Sequence, residues 1–319
     1  MKAFRVVDFD KPAIFCDIPR TQPQPGQVEV KIEACGLNFA DLLMLENQYQ
    51  DTPDVPFTLG MEIAGAISAI GPNTKSPAIG TRVTVFAGQG GLAEYGYFPA
   101  ERLIKIPDTM PSEVAAGFQV AYGTSHIALT HCARLKKNDT LLVLGAAGGV
   151  GLTAVELGKY FGAQVIAAAR GQEKLNIAQK FGADVLIDTN KENLRDVVKS
   201  LGGADVVYDP IGGDLFKEAM RTCKPEGKIL TIGFASGDIP VIAANYLLVK
   251  NLSVIGLNWG AYLKFNAKVI SNSMLELMKL YTDEILKPHI SHIFSFSETN
   301  AALEYIKNRK STGKVVVKI

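Results

Sequence analysis

One stretch of this chain constrains its fold more than any other: residues 140–170, TLLVLGAAGGVGLTAVELGKYFGAQVIAAAR. Leu141, Leu142, Val143 and Leu144 form a short, wholly apolar run, the pattern of a parallel strand buried on both faces. The glycine-rich segment 145–151 then turns the chain. Residues 153–161 carry apolar side chains at helical spacing, and Gly162 stands where such a helix would stop. Residues 164–169 make a second apolar strand. Strand, glycine turn, helix and strand in that order are half of a dinucleotide-binding unit.

The glycines have a physical reason. A pyrophosphate held at a helix N-terminus needs backbone N–H groups aimed at it and no side chain in the way. Gly148 suits the point of closest approach, Gly149 and Val150 continue the turn, and Gly151 suits the point where helix and strand pack closely. Ala146 replaces the usual first glycine, so the spacing is A-x-G-x-x-G. An ordinary tight turn is the alternative; the strand before and the helix after favour the nucleotide.

The end of the second strand bears on which nucleotide. An NAD site usually places Asp or Glu there to hold the ribose 2′-hydroxyl. Here the strand ends Ala167-Ala168-Ala169-Arg170, with Lys174 one helical turn further on. Cations at this point pair with a 2′-phosphate, arginine bidentately. The expected coenzyme is therefore NADPH, a solvated strand-end charge being the alternative for Arg170.

A chain of 319 residues suits about two domains. Apolar residues make up 47% and charged residues 20%, which describes a well-cored globular protein. The formal net charge of +1 provides no broad attraction for nucleic acid or membrane. No apolar run approaches the ~18 residues of a membrane span. The opening MKAFRVVDFD holds an early acid and no apolar signal core, so a cytoplasmic location is expected. Cys16, Cys35, Cys132 and Cys223 are scattered without a C-x-x-C pair, so neither a disulfide framework nor a zinc knuckle is indicated.

Residues 1–118 read as short strands. Val28, Val30, Ile32 and Ala34 alternate with Glu29, Lys31 and Glu33, the period of a half-buried strand. Turns recur at Pro25-Gly26, Gly71-Pro72, Gly88 to Gly91 and Pro107-Asp108, as in an antiparallel, barrel-like module. Residues 119–259 alternate strands with helices near 173–180, 191–200 and 214–222. Six strands with crossover helices make a doubly wound sheet, the glycine turn following its first strand. Residues 260–319 hold helices near 265–281 and 298–309, a turn at Lys287-Pro288 and a last strand at Val315-Val316-Val317. They are expected to rejoin the first module and so make it discontinuous.

Six motifs in order carry a resemblance: Gly36-Leu37-Asn38-Phe39-Ala40-Asp41, Gly60-Met61-Glu62-Ile63-Ala64-Gly65, the turn from Ala146 to Gly151, Asp209-Pro210-Ile211-Gly212-Gly213, Gly233-Phe234-Ala235-Ser236-Gly237, and the segment from Arg309 to Lys314. Across essentially its whole length the chain resembles the medium-chain dehydrogenase/reductase superfamily, and within it the zinc-free NADPH:quinone oxidoreductase, zeta-crystallin-like branch. The implied fold is α/β: a Rossmann-type doubly wound parallel sheet plus a discontinuous GroES-like β-barrel catalytic domain. In the zinc-dependent branch a Cys stands where Asn38 is and a His where Met61 is. Neither Asn nor Met is a usual zinc ligand, and residues 84–99 hold no Cys, so no metal is expected.

The resemblance also implies roles. It places Asn38 near the nicotinamide ribose and the substrate, where an amide both donates and accepts; a turn-former or helix cap is the alternative. Asp41 reads as a helix cap. Tyr49 matches an aromatic bordering the quinone pocket, with a hydroxyl able to orient a carbonyl or relay a proton. Gln119 stands where this branch often has a Thr near the nicotinamide amide. Gly148, Gly149, Val150 and Gly151 would hold pyrophosphate, and Arg170 and Lys174 the 2′-phosphate. Thr189 replaces a Tyr found beside adenine in some relatives. Pro210 and Ile211 follow one strand end and Gly233 and Phe234 the next, along the nicotinamide half. Arg309 matches a late basic residue that closes over the phosphates, Lys314 being a weaker candidate; both also read as solvated charges.

The implied activity is hydride transfer from NADPH to quinones or similar conjugated carbonyl acceptors without zinc, protonation coming from water, Tyr49 or the cofactor ribose. Without a Lewis acid, acceptors that spread their developing charge are favoured over simple alcohols. The alternatives are an enoyl or enoyl-thioester (alkenal) reductase, or an NADPH-binding sensor or structural protein with little turnover. The expected partners are a small-molecule quinone or enone and a second copy of the chain: the apolar strand near 252–257 offers an edge for pairing, and relatives commonly form homodimers this way. No nucleic-acid or membrane partner is expected.

Overall fold

A computed structural model describes all of residues 1–319, which divide into two units: Met1–Val120 with Lys287–Ile319, and Ala121–Leu286. The second unit begins at Ala121. Its end does not fall at 259. The helix Ala267–Thr282 buries Ile270, Met274, Leu277 and Leu280, and Ser273 bonds His126 of the same unit. Trp259 lies against Gly123, where an added Cβ would come within 2.7 Å of the indole nitrogen. The chain therefore rejoins the first unit at Lys287, beside the proline turn, and not at 260.

The second unit is a six-stranded parallel sheet. From edge to edge its strands are Val185–Asp188, Gln164–Ala169, Thr140–Leu144, Ala204–Asp209, Cys223–Thr231 and Ser253–Gly256. Helices Gly149–Tyr160, Gln172–Lys180, Leu194–Ser200, Gly213–Thr222 and Ala244–Lys250 make the crossovers. Leu141, Leu142, Val143 and Leu144 are all fully buried, as a strand covered on both faces requires. The strand order reverses at Thr140–Leu144, and the loops after the central strands gather at their C-terminal ends, where open α/β sheets take their ligands.

The first unit is built mainly from antiparallel strands. Gln27–Leu37 lies at its centre, paired with Glu62–Ile70 on one side and with Lys314–Lys318 on the other. Arg82–Phe86 and Ile104–Lys105 extend one flank, Ile290–Ser295 the other, and Tyr95–Pro99 pairs the N-terminal half of the central strand. A second sheet of Ile14–Asp17, Lys2–Val6 and Phe57–Thr58 packs Phe4 and Val6 into the same core as Val28, Val30 and Ile32. Register then fixes the site. Gly36 pairs Glu62 and Leu37 pairs Val315, so Glu62, Asn38 and Lys314 meet at one end of the central strand.

No helix is long and apolar enough to cross a membrane.

Candidate functional site

The residues singled out from the sequence fall into two sets, one per unit. In the second unit, Gly148 caps the helix Gly149–Tyr160 from an extended conformation. A Cβ on Gly148 would meet only the Gly145 carbonyl, at 3.3 Å, whereas one on Gly151 would lie 2.3 Å from that oxygen. Gly148 is thus open on its remaining sides and Gly151 is shut by backbone. Beneath the turn, the buried Ser125 hydroxyl donates to the Val150 carbonyl at 2.8 Å and meets the hydroxyls of Thr153 (2.8 Å) and Tyr208 (2.9 Å). These bonds tie the first turn of the helix to its neighbours.

At the ends of the next two strands, Arg170 is exposed and makes no ion pair. Gly171 follows at φ +83°, capping the helix Gln172–Lys180 whose first turn carries Lys174. Thr189 donates its N–H to the Ala169 carbonyl at 3.0 Å, which brings Thr189 beside Arg170. One residue here was not anticipated. Asp188 accepts from the Gly171 and Asn190 N–H groups at 3.0 and 3.1 Å, and these bonds hold its carboxyl below the ordinary range. It is an acid spent on shaping the turn that carries Arg170.

On the other side of the central strand, the buried Asp209 accepts from the N–H groups of Ile211 and Gly212 at 2.7 and 3.0 Å. The following loop returns onto this one: Ala235 donates to the Pro210 carbonyl and Ser236 to that of Ile211. Pro210, Ile211, Gly233 and Phe234 are therefore neighbours. A Cβ on Gly145 would come 2.7 Å from Ile211 Cδ1, so this pair of loops abuts the glycine turn.

In the first unit Asn38 caps the helix Phe39–Leu45, and its N–H bonds the Asp41 carboxylate at 2.8 Å in a capping box. Around it lies a network that the sequence left unassembled. Lys314 Nζ donates to the Leu37 carbonyl (2.8 Å), to Asn38 Oδ1 (2.7 Å) and to Glu62 Oε1 (2.5 Å). Asn38 Nδ2 donates to the same Glu62 oxygen at 3.1 Å, and Glu62 Oε2 accepts from the Val120 N–H at 3.0 Å. The Glu62 and Lys314 side chains are 0% and 7% exposed. Lys314 is thus saturated by three acceptors inside the unit, and the reading of it as a phosphate contact is set aside. Asp41 is fully buried, which pushes its carboxyl up to about 7 despite the Asn38 N–H bond and the Lys314 ammonium.

Tyr49 follows that helix, half-buried against the core, and burial raises its hydroxyl to about 12. Gln119 is buried and donates through Nε2 to Thr84 Oγ1 at 3.0 Å. Arg309 is exposed in the left-handed conformation just past the helix Thr299–Lys307. One serine–histidine–acid grouping does assemble: Ser273 Oγ lies 2.9 Å from His126 Nδ1 and Glu276 3.4 Å from Nε2. Serine and imidazole are both buried, so no substrate reaches that hydroxyl.

The donor set does not suit zinc. Asn38 and the buried Met61 are not usual ligands, and Glu62 is already neutralised by Lys314. The Cys35 thiol is driven up by burial, away from the thiolate a metal needs. No group of three His, Cys, Asp or Glu residues is placed to hold an ion.

Residues 24–108 match the family described as alcohol dehydrogenase GroES-like domain, and residues 149–279 the one described as zinc-binding dehydrogenase. A quinone oxidoreductase-like protein 2 homolog of Nematostella vectensis is 41% identical over 326 residues, 99% of this chain and 89% of that protein. The quinone oxidoreductase of Thermus thermophilus, solved also as its NADPH complex, superposes with a TM-score of 0.87 at 30% identity over 100% of both chains. A mycobacterial protein solved with NADPH has a TM-score of 0.93 at 27% identity, again over 100% of both.

Proposed function

This chain belongs to the zinc-free quinone oxidoreductase branch of the medium-chain dehydrogenase/reductase superfamily, and from that premise we propose that it is an NADPH-dependent reductase of quinones and similar conjugated carbonyl compounds. Bound NADPH would supply the hydride. In this reading the turn at Gly148, Gly149, Val150 and Gly151 holds pyrophosphate on the helix N-terminus. Arg170 and Lys174 take the 2′-phosphate, with Thr189 beside them, and the loops at Pro210, Ile211, Gly233 and Phe234 border the rest of the cofactor.

The observation that carries the substrate class is the pairing of Glu62 with an internal ammonium, beside Asn38 and Met61. These residues offer no zinc-type ligand set, so nothing in them polarises an isolated alcohol or ketone strongly. Quinones and enones, which spread developing charge over a conjugated system, demand the least polarisation. Tyr49 keeps its proton throughout the physiological range, and it is the chain's own candidate to donate to the reduced acceptor. Gln119 and Arg309 are assigned as cofactor neighbours on the resemblance alone. A second copy is the proposed protein partner.

The test is NADPH oxidation with ortho-quinones, para-quinones, enones and enoyl thioesters, alongside alcohols with NADP+ and added zinc. Turnover on quinones or enones is expected. Robust zinc-dependent alcohol oxidation would overturn the reading, and turnover confined to enoyl thioesters would move the substrate class.

A further inference from the structure

Within the second unit, both peptide neighbours of Arg170 are tied to the end of the adjacent strand. On one side the Ala169 carbonyl accepts from the Thr189 N–H at 3.0 Å and from the Thr189 hydroxyl at 3.4 Å. On the other side the Gly171 N–H donates to Asp188 Oδ1 at 3.0 Å. The same oxygen accepts from the Asn190 N–H at 3.1 Å, which folds the anchoring loop back on itself. Asp188 is held in turn: it pairs Ala169 in the parallel register, and its own N–H donates to Glu192 Oε2 at 2.9 Å. Gly171 needs such an anchor. It sits at φ +83° and ψ 150°, a region that is essentially glycine's alone, and a Cβ built there would meet nothing within 4 Å. A hydrogen bond fixes the backbone at this point, and no neighbour packs against its open side.

We propose that Asp188 is a positioning residue for coenzyme choice: by fastening the backbone just past Arg170, it holds that guanidinium where a 2′-phosphate is taken, and so favours NADPH over NADH. This rests on the reading above that Arg170 takes the 2′-phosphate. An exposed carboxylate at this place would attract a ribose hydroxyl and repel a phosphate. Asp188 is withdrawn from both. Its side chain is 7% exposed, its Oδ1 is spent on two backbone N–H groups, and its buried Oδ2 takes no hydrogen bond and lies 3.7 Å from Lys191 Nζ.

The anchor is tested without coenzyme. In the full-length protein labelled with 15N-glycine, the Gly171 N–H, identified by its loss in Gly171→Ala, should exchange with solvent about tenfold more slowly than in Asp188→Ala. Asp188→Asn keeps an oxygen for both N–H groups and should protect Gly171 as the wild type does. A Gly171 N–H that exchanges equally fast in wild type and in folded Asp188→Ala overturns the anchor.

Coenzyme choice is tested by calorimetric titration with NADPH and NADH. Asp188→Ala should weaken NADPH about tenfold and NADH by less than about threefold, while Asp188→Asn restores the wild-type preference. Adding Asp188→Ala to Arg170→Ala should cost nothing further, because a residue that acts through another then has nothing left to position. Equal loss for both coenzymes, equal loss in the Ala and Asn variants, or full additivity with Arg170→Ala overturns the positioning role. If circular dichroism shows Asp188→Ala unfolded, Gly171→Ala disturbs the same turn by strain at positive φ; it should show the same NADPH-selective loss, and a loss shared with NADH overturns the proposal. Arg170→Ala with its NADPH preference intact would sink the 2′-phosphate reading and this assignment with it. A preference lost in Arg170→Ala but kept in Asp188→Ala sinks this assignment alone.

Discussion

Asp41 shows how a residue without a ligand contact sets the behaviour of the site around it. Its carboxyl ionises near 3.8 in an open chain and near 7 in the fold, chiefly because it is buried. Between those values the folded protein keeps a proton that the unfolded chain has released. Stability is therefore full below about pH 4, falls as pH rises toward 7 and is flat beyond it. Asp41→Asn keeps an acceptor for the Asn38 N–H and removes the titration. Its urea midpoint should match wild type at pH 4 and exceed it at pH 8, the difference growing by on the order of 1.4 kcal/mol per pH unit at most. Equal slopes of stability against pH in the two proteins would refute this. Arg170 has the opposite character: exposed, unpaired and available. Arg170→Ala should weaken NADPH about 10- to 100-fold, the value of a charge-assisted bond, and leave NADH nearly unchanged in calorimetric titration. A parallel loss for both coenzymes would remove it from the 2′-phosphate.

Among the elements, the glycine turn is the most demanding. Gly151→Ala would set a methyl 2.3 Å from the Gly145 carbonyl, and backbone on both sides cannot yield cheaply. It should lower stability by about 1–3 kcal/mol, seen as a drop in thermal midpoint, together with loss of NADPH binding; an unchanged midpoint would contradict the packing. The turn, its strands and its helix were legible because their cues lie within a few residues of one another. Helix ends were less so. The expected helix at 191–200 begins at Leu194, because Asn193 caps it through a bond to the Asp196 N–H and Glu192 is drawn back to the Asp188 N–H. Asn193 was a readable cap signal. The boundary at Lys287 was harder: Trp259 and the helix Ala267–Thr282 belong to the second unit because of what they bury, and burial partners such as Gly123 and His126 lie more than a hundred residues earlier.

Over the full chain, the strand Ser253–Gly256 is an edge of the parallel sheet. Val241, Leu248 and Val249 nearby are 79–89% exposed, and an open edge flanked by apolar side chains invites a second copy. Light scattering at micromolar concentration should report a dimer, and Leu248→Glu/Val249→Glu a monomer with its thermal fold retained; a monomeric wild-type protein would exclude this assembly. Periodicity and turn residues were enough to read the α/β class, the strand–glycine turn–helix unit and the cation at the end of the next strand, since each depends on neighbours along the chain. The union of Asn38, Glu62 and Lys314 was not readable that way. Lys314 lies 252 residues from Glu62 and 276 from Asn38, and what joins them is the register of three paired strands, which arises only when the last segment closes onto the first and removes a lysine and a glutamate from water together.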